Sequence, residues 1–518
     1  MKRRELIGGL PLLAGLAALP RRGLAAIETA PAHPLVLDDA TPADIPFDPG
    51  VDTSAPLSED LDADVVIVGS GAAGLCAAIA ARTSGAGRVM ILEKASIAGG
   101  HTILSSGSFA AARRPEDVTG LMNEMLDASR GAAVPELVRV VAEGSWAAKE
   151  RLSRLGVTWV SEPFRAVGGL SARCWNTGSP QSGYDYVQAL MRGVRRLGVD
   201  IRLGVTAESL LTEPLAVEPS TPRLRVTGLT ARVRGGGRLR IRAGAVILAT
   251  GGFTANKALI YRYTTGLPIS MPTTANPRGD LIDGSTGEGI LMASAIGAKL
   301  RDMDAVQVIP FNGGRLIDYV GAEIWLNGEG RRFISEGEDF LELRTLVELQ
   351  PGGVMWAVSD AKSPKGATLG LKLMEGIVSE ARSVEELARG MSVPARRLRE
   401  TLEKYNRSVK SGWDEEFGRP MRAMTIDTPP FFYGREIFAL HYSCGGIAIT
   451  ARAEVIDGEE RPVPGLYAAG ETTGGVHGKV RVGGCGLVDA MVFGDVAGRE
   501  AAAFAAAAGS SLSAARGR

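Results

Sequence analysis

Val65-Val66-Ile67-Val68-Gly69-Ser70-Gly71-Ala72-Ala73-Gly74 decides the fold. Its β-branched run reads as a buried parallel strand, and the small residues from Ala72 to Ala81 read as a helix. A second apolar strand at Val89 to Leu92 completes a βαβ unit, the nucleus of a doubly wound sheet. The turn between strand and helix is GxGxxG. Gly69 permits the tight turn, Gly71 lets backbone approach a pyrophosphate, and Gly74 lets helix and strand pack closely, with Ala72 and Ala73 at the helix N-terminus. Glu93, followed by Lys94, closes the second strand at the spacing that reaches an adenosine ribose.

Working outward, the next loop argues for FAD rather than NAD. Gly99-Gly100-His101-Thr102 and Ser106-Gly107 form a backbone-exposing, hydroxyl-rich stretch suited to an extended cofactor beyond its pyrophosphate. A third strand at Ala245 to Ala249 ends in Thr250-Gly251, and a fourth at Gly465 to Ala469 ends in Gly470-Glu471, placed to hold ribityl or ribose hydroxyls. Gly483-Gly484 lead to a helix from about Leu487, so the amides of Gly486, Leu487 and Val488 are expected at the flavin, where a helix N-terminus stabilises negative charge. Only one dinucleotide motif is evident, which makes an NADPH-dependent monooxygenase unattractive.

The expected fold class is α/β: a Rossmann-like, doubly wound and discontinuous FAD domain with an inserted α+β capping domain. The expected segments are an export signal at 1–26, a proline-rich linker at 27–60 and FAD-binding parts at 61–303 and 442–505. A capping lid at 304–441 lies between those parts, and a flexible tail at 506–518 ends the chain. Lys2-Arg3-Arg4, an apolar stretch from Leu6 to Leu19 and the small residues Gly23-Leu24-Ala25-Ala26 read as a twin-arginine-like signal for a periplasmic or extracytoplasmic protein. That stretch is shorter than the roughly 20 residues of a spanning helix, so no stable membrane insertion is expected.

Lysine plus arginine equals aspartate plus glutamate at 58 each, which gives no reason to expect nucleic acid as a partner. The cysteines Cys76, Cys174, Cys444 and Cys485 lie far apart and form no CxxCH, so no covalent haem is expected in this chain. Electrons then pass to or from a separate carrier, a cytochrome or a quinone. No HExxH or cysteine-histidine cluster suggests a metal site.

These stretches, with Val246-Ile247-Leu248-Ala249-Thr250-Gly251-Gly252-Phe253, Ser285-Thr286-Gly287-Glu288-Gly289 and above all Pro464–Gly498, resemble the soluble fumarate reductase flavoproteins. That family includes urocanate reductases and is related to 3-ketosteroid dehydrogenases. The resemblance spans residue 62 to about 503 and implies hydride transfer between flavin N5 and an activated C–C bond, with a side chain moving a proton at the neighbouring carbon. The family's carboxylate-binding arginine aligns on Arg481, which can grip a carboxylate or polarise a carbonyl. A structural ion pair is the plainer role for that arginine.

Departures from the family pattern argue against fumarate. Ile309 in Gln307-Val308-Ile309-Pro310 stands where a histidine is usual, and Arg315-Leu316 stand in place of a Thr-Glu pair. Counting from Arg332-Phe333-Ile334-Ser335-Glu336, the family's proton-donating arginine falls on Phe340, with Arg344 one turn later as a replacement candidate. His441-Tyr442 replaces paired histidines, and Tyr442 can donate a proton or hold a carbonyl oxygen. Trp175 and Asn176 lie where the family approaches the flavin face. The implied substrate is a small-molecule α,β-unsaturated acid or ketone. The alternative is an FAD-binding electron-transfer or assembly subunit without turnover of its own.

Overall fold

The Val65–Val68 run lies inside the main sheet of the protein. A computed structural model describes residues 57–166, 171–179, 181–215, 223–275, 284–310, 323–336, 340–363, 369–421 and 423–516, with backbone alone at 340, 341, 371 and 509–516. The expected signal, the linker up to residue 56, and Arg315 and Leu316 lie outside the described residues.

Along the chain, the main sheet first collects β1 (Leu57–Val68), β2 (Val89–Glu93), β3 (Asp200–Leu203), β4 (Val205–Leu215), β5 (Arg223–Val233) and β6 (Arg238–Leu248). The chain then leaves through β7 (Val306–Pro310) and builds β8 (Ile324–Asn327), β9 (Met355–Ser359), β10 (Ser379–Ala381) and β11 (Phe431–Arg435). It returns through β12 (Phe438–Ser443) to β13 (Glu454–Ile456) and β14 (Pro462–Ala468). The helices needed below are α1 (Ala72–Thr83), α2 (Phe340–Glu348), α3 (Ala395–Ser411) and α4 (Cys485–Arg516).

The main sheet runs β13-β14-β6-β1-β2-β3, with β1 parallel to β2 and β6, and β14 parallel to β6. The β4–β5 ribbon joins antiparallel to β6. α1 and α4 pack on this sheet, and Val65, Ile67, Leu75, Ile247, Leu466 and Phe493 are fully buried in its core. The second sheet, β8-β9-β11-β10, is antiparallel and has its own core of Leu326, Val358, Leu398, Leu402, Tyr405 and Phe431.

Two boundaries differ from the sequence expectation. β1 begins at Leu57 rather than at the apolar run, because its polar half pairs with β6 in register and Asp60 and Asp62 meet Arg240 and Arg242. A strand held by backbone ladder bonds and exposed ion pairs carries no apolar signal. α4 continues as helix to Arg516, past the point where a flexible tail is expected, because its alanines favour helix.

β7 and β12 lie antiparallel where the chain passes between the two sheets. Tyr442 pairs with Gln307 and Leu440 with Val308, which leaves His441 as an extra residue in a bulge. A bulge breaks the strict alternation of side chains. Here it lets two successive residues, His441 and Tyr442, line the same cavity.

Candidate active site

The cavity opens at the C-terminal ends of β1, β2, β6 and β14, where a doubly wound sheet binds its ligand. Gly69, at φ +102°, turns the chain out of β1. A Cβ there would sit 2.3 Å from the Ala249 carbonyl oxygen, and one on Gly74 would sit 2.0 Å from the Gly69 carbonyl oxygen. Gly74 therefore serves helix packing and does not line the cavity, whereas Gly69, Gly71, Ala72 and Ala73 do. Ala72 N–H donates to Thr102 Oγ1 at 3.0 Å, so a side chain of the following loop caps the first helical amide.

Glu93 is buried, and its two oxygens accept from Ser70 N at 3.0 Å, Ser70 Oγ at 2.6 Å and Ala95 N at 2.8 Å. This fixes the carboxylate at the cavity edge. Ser70, one of the variable positions of the motif, has this anchoring role, and the glycine pattern alone does not disclose it. Lys94 reaches Glu288 Oε1 at 2.7 Å and also bonds Thr286, so the Ser285-Thr286-Gly287-Glu288-Gly289 turn is held against the end of β2. Ser285 Oγ lies 2.9 Å from His101 Nδ1. Burial, aided by the Lys94 charge, pushes His101 down to about 4, so its imidazole is neutral at ordinary pH. His101 Nε2 is buried on the cavity wall without a partner.

The wall continues through Gly100, Thr102, Ser106 and Gly107, then Thr250, Gly251, Gly470 and Glu471, and ends at Gly486 and Leu487. Gly99 stands just outside it, and Val488 is fully buried in the core. One residue beyond Leu487 the helix has turned about 100°, so the Val488 side chain points inward and does not line the cavity. Gly483 and Gly484 ahead of α4 also line the cavity, as do Val205 and Ala207, which no motif in the sequence marks. A continuous glycine-rich wall with the ribose-type carboxylate at one end, a helix N-terminus beside it and the unpartnered His101 Nε2 along it fits an extended dinucleotide such as FAD.

Arg481 lines the cavity with Tyr442, His441 and Ile309. Its guanidinium carbon lies 4.8 Å from the centre of the Tyr442 ring, and its backbone N–H donates to Gln307 Oε1 at 3.1 Å. Nη1 donates to the Val482 carbonyl at 3.3 Å, and Nε is buried without a partner. Among the described residues no carboxylate oxygen lies within 4.0 Å of it, so the alternative role as a structural ion pair is not seen. His441 Nδ1 lies 2.8 Å from Thr274 Oγ1.

Two sequence expectations fail geometrically. Arg344, on α2, does not line the cavity: Glu348 holds its Nε at 2.7 Å and its Nη1 donates to the Gly266 carbonyl at 3.1 Å. The Phe340 side chain at the head of the same helix lies outside the described set. Trp175 faces a different cleft, where Lys149 Nζ lies 4.3 Å from its ring centre and is also stacked by Trp146 and Trp159. Among the described residues there is no group of three or more His, Cys, Asp or Glu arranged for a metal, and no helix long and apolar enough to cross a membrane.

Glu471 accepts from Ser443 N at 3.1 Å and Ser443 Oγ at 3.2 Å, and burial pushes its carboxyl up to about 7. Its folded value lies above the unfolded one, so the native state binds the extra proton between about pH 4.5 and 7 and stability falls as pH rises through that window. The carboxyl also lines an open cavity, where water screens part of the penalty. In cofactor-free protein, Glu471→Gln is therefore expected to gain about 1–2 kcal/mol relative to wild type between pH 5 and pH 8. Urea midpoints at the two pH values measure this, and equal differences at both would refute the assignment.

The sheet order, the glycine turn and the cavity define a flavoprotein with a second antiparallel sheet inserted into its cofactor fold. A family model described as FAD binding domain matches residues 64–487. The chain is 32% identical over 459 residues to a probable fumarate reductase of Shewanella frigidimarina, covering 85% of this chain and 74% of that one. It is 30% identical over 485 residues to a urocanate reductase of Eggerthella lenta, covering 87% and 76%. Among solved structures it is similar to a 3-ketosteroid-Δ4-(5α)-dehydrogenase from Rhodococcus jostii in complex with 4-androstene-3,17-dione, at 26% identity and TM-score 0.64, covering 86% and 99%. The chain belongs to this family of FAD-binding oxidoreductases, with FAD as its cofactor.

Proposed function

We propose that the chain moves a hydride between FAD and an activated carbon–carbon bond, acting on an α,β-unsaturated acid or ketone, or on its saturated partner, rather than on fumarate. Bound FAD supplies the hydride donor or acceptor. Arg481 binds the substrate carboxylate or carbonyl, which draws electron density from the conjugated bond. Tyr442 handles the proton at the adjacent carbon, and His441, braced by Thr274, shapes the same wall.

The observation that carries this reading is Arg481: a buried guanidinium on the cavity wall, stacked on Tyr442, with no carboxylate partner among the described residues. A protein that only stored electrons would leave that charge uncompensated for no return. Ile309, buried on the same wall, takes no part in binding a second carboxylate and favours an apolar substrate body. The names of the relatives, a urocanate reductase and a ketosteroid dehydrogenase, support substrates of this breadth.

The test is anaerobic photoreduction of the holoprotein followed by mixing with fumarate, urocanate, cinnamate and 4-androstene-3,17-dione. Reoxidation by an acid or ketone bearing an aromatic or alicyclic body, faster than by fumarate, is expected. Reoxidation fastest with fumarate would overturn the substrate assignment, and reoxidation by none would overturn the reductive direction.

The electron partner in this reading is a separate cytochrome or quinone, and the protein works outside the cytoplasm. Arg3-Arg4 ahead of the apolar Leu6–Leu19 stretch supports export by the twin-arginine route. Replacing both arginines with lysine is expected to hold the precursor in the cytoplasm. Unchanged export in cell fractionation would exclude that route.

A further inference from the structure

Asp489, on the first turns of α4, is only 1% exposed, and His477 is 3% exposed. Neither lines the cavity. Asp489 Oδ2 accepts from His477 Nε2 at 3.2 Å and from the Tyr442 hydroxyl at 3.5 Å, while its Oδ1 is buried with no partner. The Tyr442 and His477 rings meet edge to face at 5.5 Å, and Arg481 covers Tyr442 at 4.8 Å. A purely structural carboxyl would have both oxygens satisfied, since an unpaired buried oxygen costs on the order of 1–3 kcal/mol. Here both available donors converge on one oxygen, and one of them belongs to a side chain on the cavity wall.

We propose that Asp489 and His477 are positioning residues: Asp489 aims the Tyr442 hydroxyl and takes or returns the proton it exchanges with substrate, and His477 holds that carboxyl in place. This rests on the function proposed above. The Tyr442 hydroxyl proton points at Asp489, so its oxygen lone pairs are free to face the cavity. In dehydrogenation, one substrate C–H gives its proton to Tyr442 Oη as the phenol's own proton passes to Asp489 Oδ2, while His477 keeps its Nε2 proton and holds the carboxyl in place. The neighbouring C–H leaves as hydride, and the two electrons of the first C–H form the new π bond. Reduction runs the same steps backward: protonated Asp489 recharges Tyr442, and Tyr442 protonates the carbon beside the one that receives hydride.

The charges around Tyr442 suit a group that stays protonated between turnovers. Burial, followed by the carboxyls of Asp489 and Glu471, holds its phenol well above the ordinary tyrosine value. Arg481 pulls it back and Cys444 adds a small upward push. Asp489 thus suppresses tyrosinate while offering a route for the proton.

The experiment uses full-length holoprotein carrying Asp489→Asn, Asp489→Glu or His477→Gln, with Arg481→Ala as a reference. Flavin absorbance reports FAD retention. Turnover of whichever compound in the panel above reoxidises the flavin is followed against pH and in D2O. The expected result is full FAD content, a roughly 100-fold loss of turnover in Asp489→Asn, a displaced pH profile, and partial recovery in Asp489→Glu. Carbon-13 NMR of ring-labelled tyrosine in the cofactor-free protein, assigned with Tyr442→Phe, gives a readout independent of turnover: the Tyr442 phenol should ionise at lower pH in Asp489→Asn. Turnover and pH profile unchanged in Asp489→Asn, with Arg481→Ala inactive, would overturn the relay and leave the function standing. Unchanged turnover in Arg481→Ala would instead overturn the function. If Asp489→Asn loses FAD, the His477→Gln profile and the Tyr442 titration decide, and a Tyr442 titration identical to wild type would count against the relay.

Discussion

Replacing Arg481 with alanine is expected to lower kcat/KM by about 10³-fold or more, roughly 4 kcal/mol of transition-state stabilisation, while leaving FAD bound. The cavity wall that fits the adenosine, pyrophosphate and ribityl portions is made by Glu93, the Gly69–Ala73 turn and the Gly100–Gly107 loop, none of which touches Arg481 in the hydrogen bonds described. The guanidinium instead stands with Tyr442 and Ile309, where a substrate would lie. Arg481→Lys should recover part of the loss, because it restores charge without the planar fork that engages two oxygens at once. It should still fall at least about tenfold short of wild type. Steady-state kinetics with flavin absorbance on the same samples measure both quantities. Full activity in Arg481→Ala would remove this residue from the chemistry, and loss of flavin would reassign it to cofactor binding.

How far the sequence reveals this site follows from what each residue does for the fold. The Gly69–Gly74 turn is legible because steric demands at Gly69 and Gly74 leave only glycine, and a strand and helix flank it. Arg481 is legible through the long Pro464–Gly498 stretch. The other features depend on contacts between residues distant in sequence. Ser70 is an arbitrary motif position until Glu93, far along the chain, is seen bonded to it. The bulge that turns both His441 and Tyr442 toward the cavity has no glycine or proline to announce it. Asp489 reads as an ordinary helical residue, and only the return of the Val476–Gly478 segment brings His477 to it.

Arg344 shows the opposite failure: spacing from Arg332 makes it a candidate, but one helical turn on an exposed helix points it at Glu348. The polar half of β1 is not legible for a related reason, since Asp60 and Asp62 stabilise it through partners on β6 rather than by burial.

Removal of Arg332 is expected to have the largest effect on stability, about 3–5 kcal/mol, because it strands buried carboxylates rather than merely deleting a contact. Its side chain is 0% exposed and bonds Glu336 at 2.7 Å, Asp414 at 2.8 Å and Glu416 at 3.0 Å. Tyr405 of α3 and Phe417 cover the guanidinium at 5.2 Å and 4.8 Å. Glu336 also accepts from the Trp325 backbone N–H of β8 at 3.2 Å, so the cluster ties the second sheet to its helix. Desolvation opposes the charge on Arg332, but the Glu336 and Asp414 carboxylates outweigh it and hold Arg332 above the ordinary arginine value. Burial pushes Asp414 up, yet the Arg332 bond and charge prevail and keep it below the usual carboxylate range.

A carboxylate with a lowered folded value contributes stability above its unfolded value, near pH 4, and loses it as pH falls further. The deficit of Arg332→Ala should therefore be full at pH 7 and shrink below about pH 4, where protonation relieves the stranded Asp414 while wild type loses its pair. Arg332 does not line the cavity, so FAD content should be unaffected wherever the variant remains folded. Denaturant midpoints followed by tryptophan fluorescence, at pH 7 and at the lowest pH where wild type is folded, test both parts. A deficit under about 1 kcal/mol at pH 7 would show that the packing around Tyr405 and Phe417, not the ion cluster, carries the stability of this sheet.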